Sequence, residues 1–128
     1  ALGASAVQIG TAYLFCPEAK VSAVHARALT VASDEDTEVT NLFTGRPARG
    51  IVNRLMRELG PLSPDAPLFP TAGRALAPLK AKAEKDGAGD FSNLWSGQAA
   101  RLAKPLPAGE LTRKLAEEAQ ARLAALSR

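Results

Sequence analysis

The run SAVQIGTAYLF, residues 5 to 15, constrains the fold more than any other part of the chain. Val7, Ile9, Tyr13, Leu14 and Phe15 supply apolar and β-branched bulk, with Gln8 and Thr11 as polar exceptions, which is the composition of a strand buried on both faces. Strands of that kind belong to parallel sheets, whose neighbours are joined by crossovers of a dozen or more residues, usually helical. Nothing ahead of residue 5 supplies such a crossover. Behind it the chain reads as one short extended segment and about five helices, which by the layer rules is not a complete α/β domain. The expectation is therefore an α/β chain that forms the C-terminal part of a larger fold.

The rest of the sequence fits a packed protein. The 128 residues suffice for one domain, and 46% hydrophobic against 23% charged residues excludes a chain disordered throughout. Alanine-rich helices bury little area per residue and need bulky partners, and aromatics make up only 5%. The formal charge is +3, but Lys and Arg are spread beside Glu along the helices rather than gathered with aromatics on one face, so no nucleic-acid partner is expected. Cys16 is the single cysteine and excludes an internal disulfide or a Cys-based zinc site; no metal is expected, and a reducing, cytoplasmic location is. No run approaches the roughly 20 apolar residues of a membrane span.

Local signals place the remaining elements. Pro17-Glu18 reads as a helix start, and residues 21–32 continue as a helix. SDEDTE is a solvated turn with an acidic cap signal. TEVTNLFTGRPARG begins extended and ends as a loop punctuated by Gly45, Pro47 and Gly50. Ile51, Val52, Leu55, Met56 and Leu59 form one helical stripe, which Gly60-Pro61 stops. Residues 61–73 hold four prolines and form a surface connector. A helix runs from about Arg74 to Lys85, with Pro78 tolerable only near its first turn. Leu111, Leu115, Ala119, Leu123 and Leu126 mark a terminal helix that starts after Pro107.

The sharpest chemical feature is Gln8-Ile9-Gly10-Thr11. At the C-terminal end of a parallel strand, where open and closed sheets place their ligands, the amides of Gly10 and Thr11 and the Thr11 hydroxyl suit a phosphate, and a helix beginning near Pro17 would add its dipole. The alternative is a glycine that lets a helix pack on the strand. His25, the only histidine, sits in a helix and reads as a surface or partly packed residue, and Cys16 as a buried, inert thiol.

With those residues stated, the runs LGASAVQIGTAYLFCPEA, TNLFTGRPARGIVN and PLFPTAGRALAPLKAKAEKDGAGDFSNLWSGQAARL together resemble the C-terminal part of the nitronate monooxygenase family, formerly called 2-nitropropane dioxygenases. The resemblance implies a (β/α)8 barrel that binds flavin mononucleotide (FMN) and oxidises alkyl nitronates such as propionate 3-nitronate with O2, giving a carbonyl compound and nitrite. It implies that residues 1–20 are the last barrel strand and phosphate-binding loop, that 21–128 are the C-terminal helical region, and that the missing N-terminal barrel segment is the partner of both. The family's Q-x-G-T motif matches Gln8, Gly10 and Thr11 with Ile9 between them, and implies that these four hold the FMN phosphate. GRPAR matches Gly45 to Arg49, read as a structural loop. W-S-G-Q matches Trp95 to Gln98, which places Gly97 and Gln98 at the active-site mouth or, alternatively, makes Trp95 a core anchor and Gly97 a tight turn. The family's catalytic histidine belongs to an earlier barrel segment that His25 does not match, so no catalytic residue is assigned here and the chain alone is expected to be inactive. The competing readings are an FMN-dependent enoyl-ACP reductase-like barrel and a non-enzymatic basic helical module.

Overall fold

Residues 6–10 carry no regular structure in the computed structural model of the chain, which describes residues 3–126, and Thr11–Phe15 wind into a 3-10 turn. The buried strand expected over residues 5–15 is therefore not formed. A buried parallel strand owes its stability to ladders on its edges, and among the described residues no segment pairs with 6–10. Val7 and Ile9 are accordingly 80% and 42% exposed. The backbone bonds locally instead, Tyr13 N–H to the Gly10 carbonyl at 3.0 Å and Cys16 N–H to the Tyr13 carbonyl at 3.2 Å. No helix starts at Pro17; Pro17-Glu18 is a turn.

The described residues group into two compact units, 3–20 with 103–126, and 21–102. In the first, helix α4 (Ala108–Leu126) follows Pro107 as its sequence predicts. Leu111 is its buried residue, whereas Leu123 and Leu126 further along the expected stripe are exposed.

The second unit is built around a hairpin. Strands β1 (Thr37–Thr40) and β2 (Ala48–Ile51) pair antiparallel, with Thr37 opposite Ile51 and Thr40 opposite Ala48. On the far edge of β2, Ile51 N–H donates to the Leu94 carbonyl at 2.8 Å and Ser96 N–H to the Arg49 carbonyl at 3.3 Å. Residues 94–96 thus lie along β2, and residues 48–50, expected as loop, are strand. Gly50 permits this approach, since a Cβ there would stand 3.0 Å from the Leu94 carbonyl oxygen.

Helix α1 (Ala23–Val31) forms within residues 21–32 but starts later than the expected Pro17, with Ser22 Oγ accepting the His25 N–H at 3.3 Å. The acidic turn after it is a 3-10 segment, Asp34–Asp36, closed by the Asp36 carboxylate on the Ser33 N–H at 2.7 Å. Helix α2 (Arg54–Leu59) is shorter than the stripe from Ile51 suggests. The amides of Ile51 and Val52 are already committed to Leu94 and Asp36, and Asn53 caps the helix by accepting the Met56 N–H. Helix α3 (Ala72–Lys85) places Pro78 at its middle rather than near its first turn. Arg74 and Pro78 both lie on the exposed face, so the Arg74 carbonyl that Pro78 cannot bond is open to water. The helix ends in a Schellman arrangement, Ala88 N–H on the Ala83 carbonyl and Gly87 N–H on that of Glu84.

Leu42, Phe43, Leu55 and Met56 form the core of this unit, with Val52, Ala66, Leu76, Phe91 and Trp95 packed on it. Each fully buried large apolar side chain of this kind contributes about 1.5–3 kcal/mol. The bulky partners that α3 lacks come from the hairpin loop and α2.

Candidate functional site

The sequence-predicted site residues fall in different units, and each set stands by itself. Gln8, Ile9 and Gly10 are exposed and Thr11 is half-buried. Gly10 sits at the head of the 3-10 turn with φ −109° and ψ −52°, and a Cβ built on it would meet no atom within 4 Å. Among the described residues no helix packs against Gly10.

The turn that carries these residues is fastened to α4. Both carboxylate oxygens of Glu18 accept the Ala108 N–H, at 3.0 and 3.2 Å, and the Tyr13 hydroxyl lies 2.8 Å from Thr112 Oγ1. Between them Cys16 is 4% exposed, with its thiol directed at the Ala12 carbonyl. Burial, and secondarily the Glu18 charge, push the Cys16 thiol above its ordinary value, so it is protonated and inert at neutral pH, as its apolar setting predicts.

In the second unit the GRPAR segment is structural. Gly45 has φ +85° and presses on the connector, where its missing Cβ would stand 2.5 Å from the Pro67 carbonyl oxygen. The Arg46 guanidinium stacks 4.2 Å from the Phe69 ring centre, and Arg49 Nη1 donates to the Thr37 carbonyl at 2.9 Å. Trp95 is half-buried and meets Phe43 edge to face at 5.7 Å, which makes it a core anchor. Its carbonyl accepts from His25 Nε2 at 2.9 Å. A carbonyl can only accept, so Nε2 carries the proton, and His25 ties α1 to the WSGQ run. No local signal announces this contact between residues 70 apart in sequence. Gln98 is exposed and lines a shallow groove of about 520 Å³ with Asp34, Ala99, Arg101 and Leu102.

A second groove, about 630 Å³, lies between α1, the start of α2 and residues 87–90 and contains none of the predicted site residues. Its apolar lining, including Val24, Ala28 and Leu94, is flanked by charges of both signs from Arg27, Arg57, Glu35 and Asp90. Asn53, which the sequence reading did not single out, is 5% exposed and spans from α2 to the Gly89 and Ser92 carbonyls at 3.0 and 2.8 Å. Because Asn53 lies inside the stripe that begins at Ile51, its cap role is legible only once Ile51 and Val52 are taken out of the helix. Among the described residues no group of His, Cys, Asp or Glu is arranged to hold a metal, and no helix is long and apolar enough to cross a membrane.

Comparison with known proteins gives a consistent outcome. The family model for nitronate monooxygenases matches residues 1–118. A nitronate monooxygenase of Pseudomonas aeruginosa is 42% identical over 118 residues, which cover 91% of this chain and 34% of that protein. A probable nitronate monooxygenase of Bacillus subtilis is 35% identical over 118 residues, covering 91% and 34%. Among solved structures, nitroalkane oxidase from Streptomyces ansochromogenes superposes with a TM-score of 0.77 at 45% identity, over 94% of this chain and 34% of that one. The chain thus spans about a third of the length of these relatives.

Proposed function

This chain belongs to the nitronate monooxygenase family, and from that membership we propose that it is the C-terminal portion of a cytoplasmic, FMN-dependent (β/α)8 barrel that oxidises alkyl nitronates, propionate 3-nitronate among them, with O2 to a carbonyl compound and nitrite. The observation that carries the proposal is the family match along residues 1–118, joined to a TM-score of 0.77 with a nitroalkane oxidase. The exposure of Val7 and Ile9 supports the barrel reading, because β-branched residues of a barrel strand would be covered by neighbouring strands.

The residues fit the phosphate end of FMN. Gln8-Ile9-Gly10-Thr11 offers a carboxamide, backbone amides and a hydroxyl, with no carboxylate among the four, and the open face of Gly10 leaves room for close approach. When bound, FMN supplies the electron acceptance from the nitronate and the reaction with O2. The part of this chain is to bind and orient. Gln8, Gly10 and Thr11 hold the phosphate, with Ile9 as the spacer of the motif, and Gly97 and Gln98 border the substrate mouth. His25, whose Nε2 proton is donated to the Trp95 carbonyl, is not the catalytic base.

The test uses the full-length protein that carries this chain. Purification with bound flavin, together with nitrite release from propionate 3-nitronate and no reduction of an enoyl thioester, is the expected result. A flavin-free protein, or one active only on the thioester, would refute the proposal.

A further inference from the structure

Resting on the phosphate role proposed for Gln8 to Thr11, we propose that Glu18, Tyr13 and Thr112 are positioning residues that hold this segment in shape by fastening it to the start of α4. Residues 3–10 are exposed and without regular structure, so the segment has little order of its own. From Gly10 onward, however, backbone bonds run without interruption. Tyr13 N–H reaches Gly10, Cys16 N–H reaches Tyr13, and Ala19 N–H reaches Cys16.

Two side-chain contacts tie that run to the helix. The residues ahead of α4 are Pro105, Leu106 and Pro107, none of which can cap a helix with a side chain, so its first amides lack a local acceptor. Glu18, 90 positions away in sequence, fills that role with both oxygens on the Ala108 N–H. A carboxylate is favoured there. One turn on, Thr112 Oγ1 donates its only proton to the Ala108 carbonyl at 2.9 Å, so the Tyr13 hydroxyl must be the donor in the 2.8 Å contact with Thr112. Both contacts lie within nine residues of Gly10, and both converge on the first turns of one rigid helix. A segment held in its binding shape avoids part of the ordering cost of binding, so release of either contact should weaken the phosphate end of FMN and leave the ring untouched.

The experiment titrates FMN and riboflavin, which lacks the phosphate, into apoprotein prepared from the full-length enzyme. Glu18→Ala is expected to weaken FMN about three- to thirty-fold, the range that corresponds to loss of a helix cap, while riboflavin affinity stays unchanged. Glu18→Gln, which keeps an acceptor oxygen, should restore most of the FMN affinity. Should Glu18→Ala fail to fold, the nearly isosteric Tyr13→Phe and Thr112→Val make the same comparison. Unchanged FMN affinity, or equal weakening of FMN and riboflavin, overturns the positioning role. Gly10→Val separates the two levels. If it leaves the preference for FMN over riboflavin intact, the phosphate assignment itself fails. If it abolishes that preference while Glu18→Ala preserves it, the phosphate assignment stands and the positioning role falls.

Discussion

Gly45 is the position at which a single methyl group should do most damage. Its φ of +85° is strained for any residue with a Cβ, at a cost of about 1–2 kcal/mol. The added Cβ would also stand 2.5 Å from the Pro67 carbonyl oxygen and 2.8 Å from the Leu68 carbonyl carbon. Those are backbone atoms, and rotamer changes cannot relieve them. The connector is also anchored, since Asn41 donates to the Ser63 carbonyl at 2.9 Å and accepts the Ser63 N–H at 3.0 Å. Overpacking of this kind costs about 1–3 kcal/mol. Displacing the connector would also loosen the Arg46–Phe69 stack, worth about 0.5–1 kcal/mol at an exposed site. Gly45→Ala should therefore destabilise by roughly 2–5 kcal/mol. In a full-length protein about three times the length of this chain, a loss of that size lowers the melting temperature by roughly 3–10 °C. Circular dichroism melts of the full-length protein supply the measurement, with Gly109→Ala as control. Gly109 has no positive φ, and a Cβ there would stand 3.7 Å from the Arg113 guanidinium, an ordinary contact, so its variant should be no less stable than the parent. A Gly45→Ala protein melting within about 2 °C of the parent would show that the turn does not press on the connector.

Asn53→Ala should cost roughly 1–3 kcal/mol in urea titrations, because it removes the cap on Met56 N–H and the side-chain donor shared by the Gly89 and Ser92 carbonyls, which keep only the N–H groups of Ser92 and Leu94. Asp36 is held below its ordinary 3.8, first by the Ser33 N–H and then by the Ser33 hydroxyl. Its folded form thus releases the proton more readily than the unfolded chain. The contribution is complete above pH 3.8 and lost as pH falls through the lower folded value, so Asp36→Asn should flatten the acid side of a stability-against-pH profile. Amide hydrogen exchange of residues 6–10 should be fast in the 128-residue chain and slow in the full-length enzyme, where the proposed barrel supplies the missing ladders. Equal exchange in the two proteins would count against a barrel strand at this position.

Elements governed by neighbouring residues were legible in the sequence, and those governed by distant ones were not. The body of α1 is legible in residues 21–32, though not its start, and α4 announces itself through Pro107 and the spacing of its leucines. The proline-rich connector is equally plain. By contrast, Ile51 and Val52 fit a helical stripe as well as they fit a strand end. What decides between the two is the Leu94 carbonyl and the Asp36 carbonyl, which lie outside any local window. Residues 48–50 read as loop for the same reason, since the segment that pairs with them on one side is 94–96. Of the candidate site, the motif residues were legible only as a family pattern. Their supports were not, because Glu18 finds Ala108, and His25 finds Trp95, across 90 and 70 positions of chain.

The strand that does not form over residues 5–15 shows the same physics from the other side. An apolar run with β-branched residues states what surface must be buried, and not by what. In residues 21–102 the chain provides its own cover, and Leu42, Phe43, Leu55 and Met56 are all 6% exposed or less. In residues 3–10 it provides none, and Val7 stays 80% exposed although the local pattern is at least as apolar. Exposed apolar residues scattered singly carry no message, but here the exposure falls within the residues that the family model matches. The pattern is therefore read as half of an interface. Gly10 and Thr11 stand at the end of that half, and the proposed barrel would supply both the strands that cover Val7 and the opposite wall of the phosphate site proposed there.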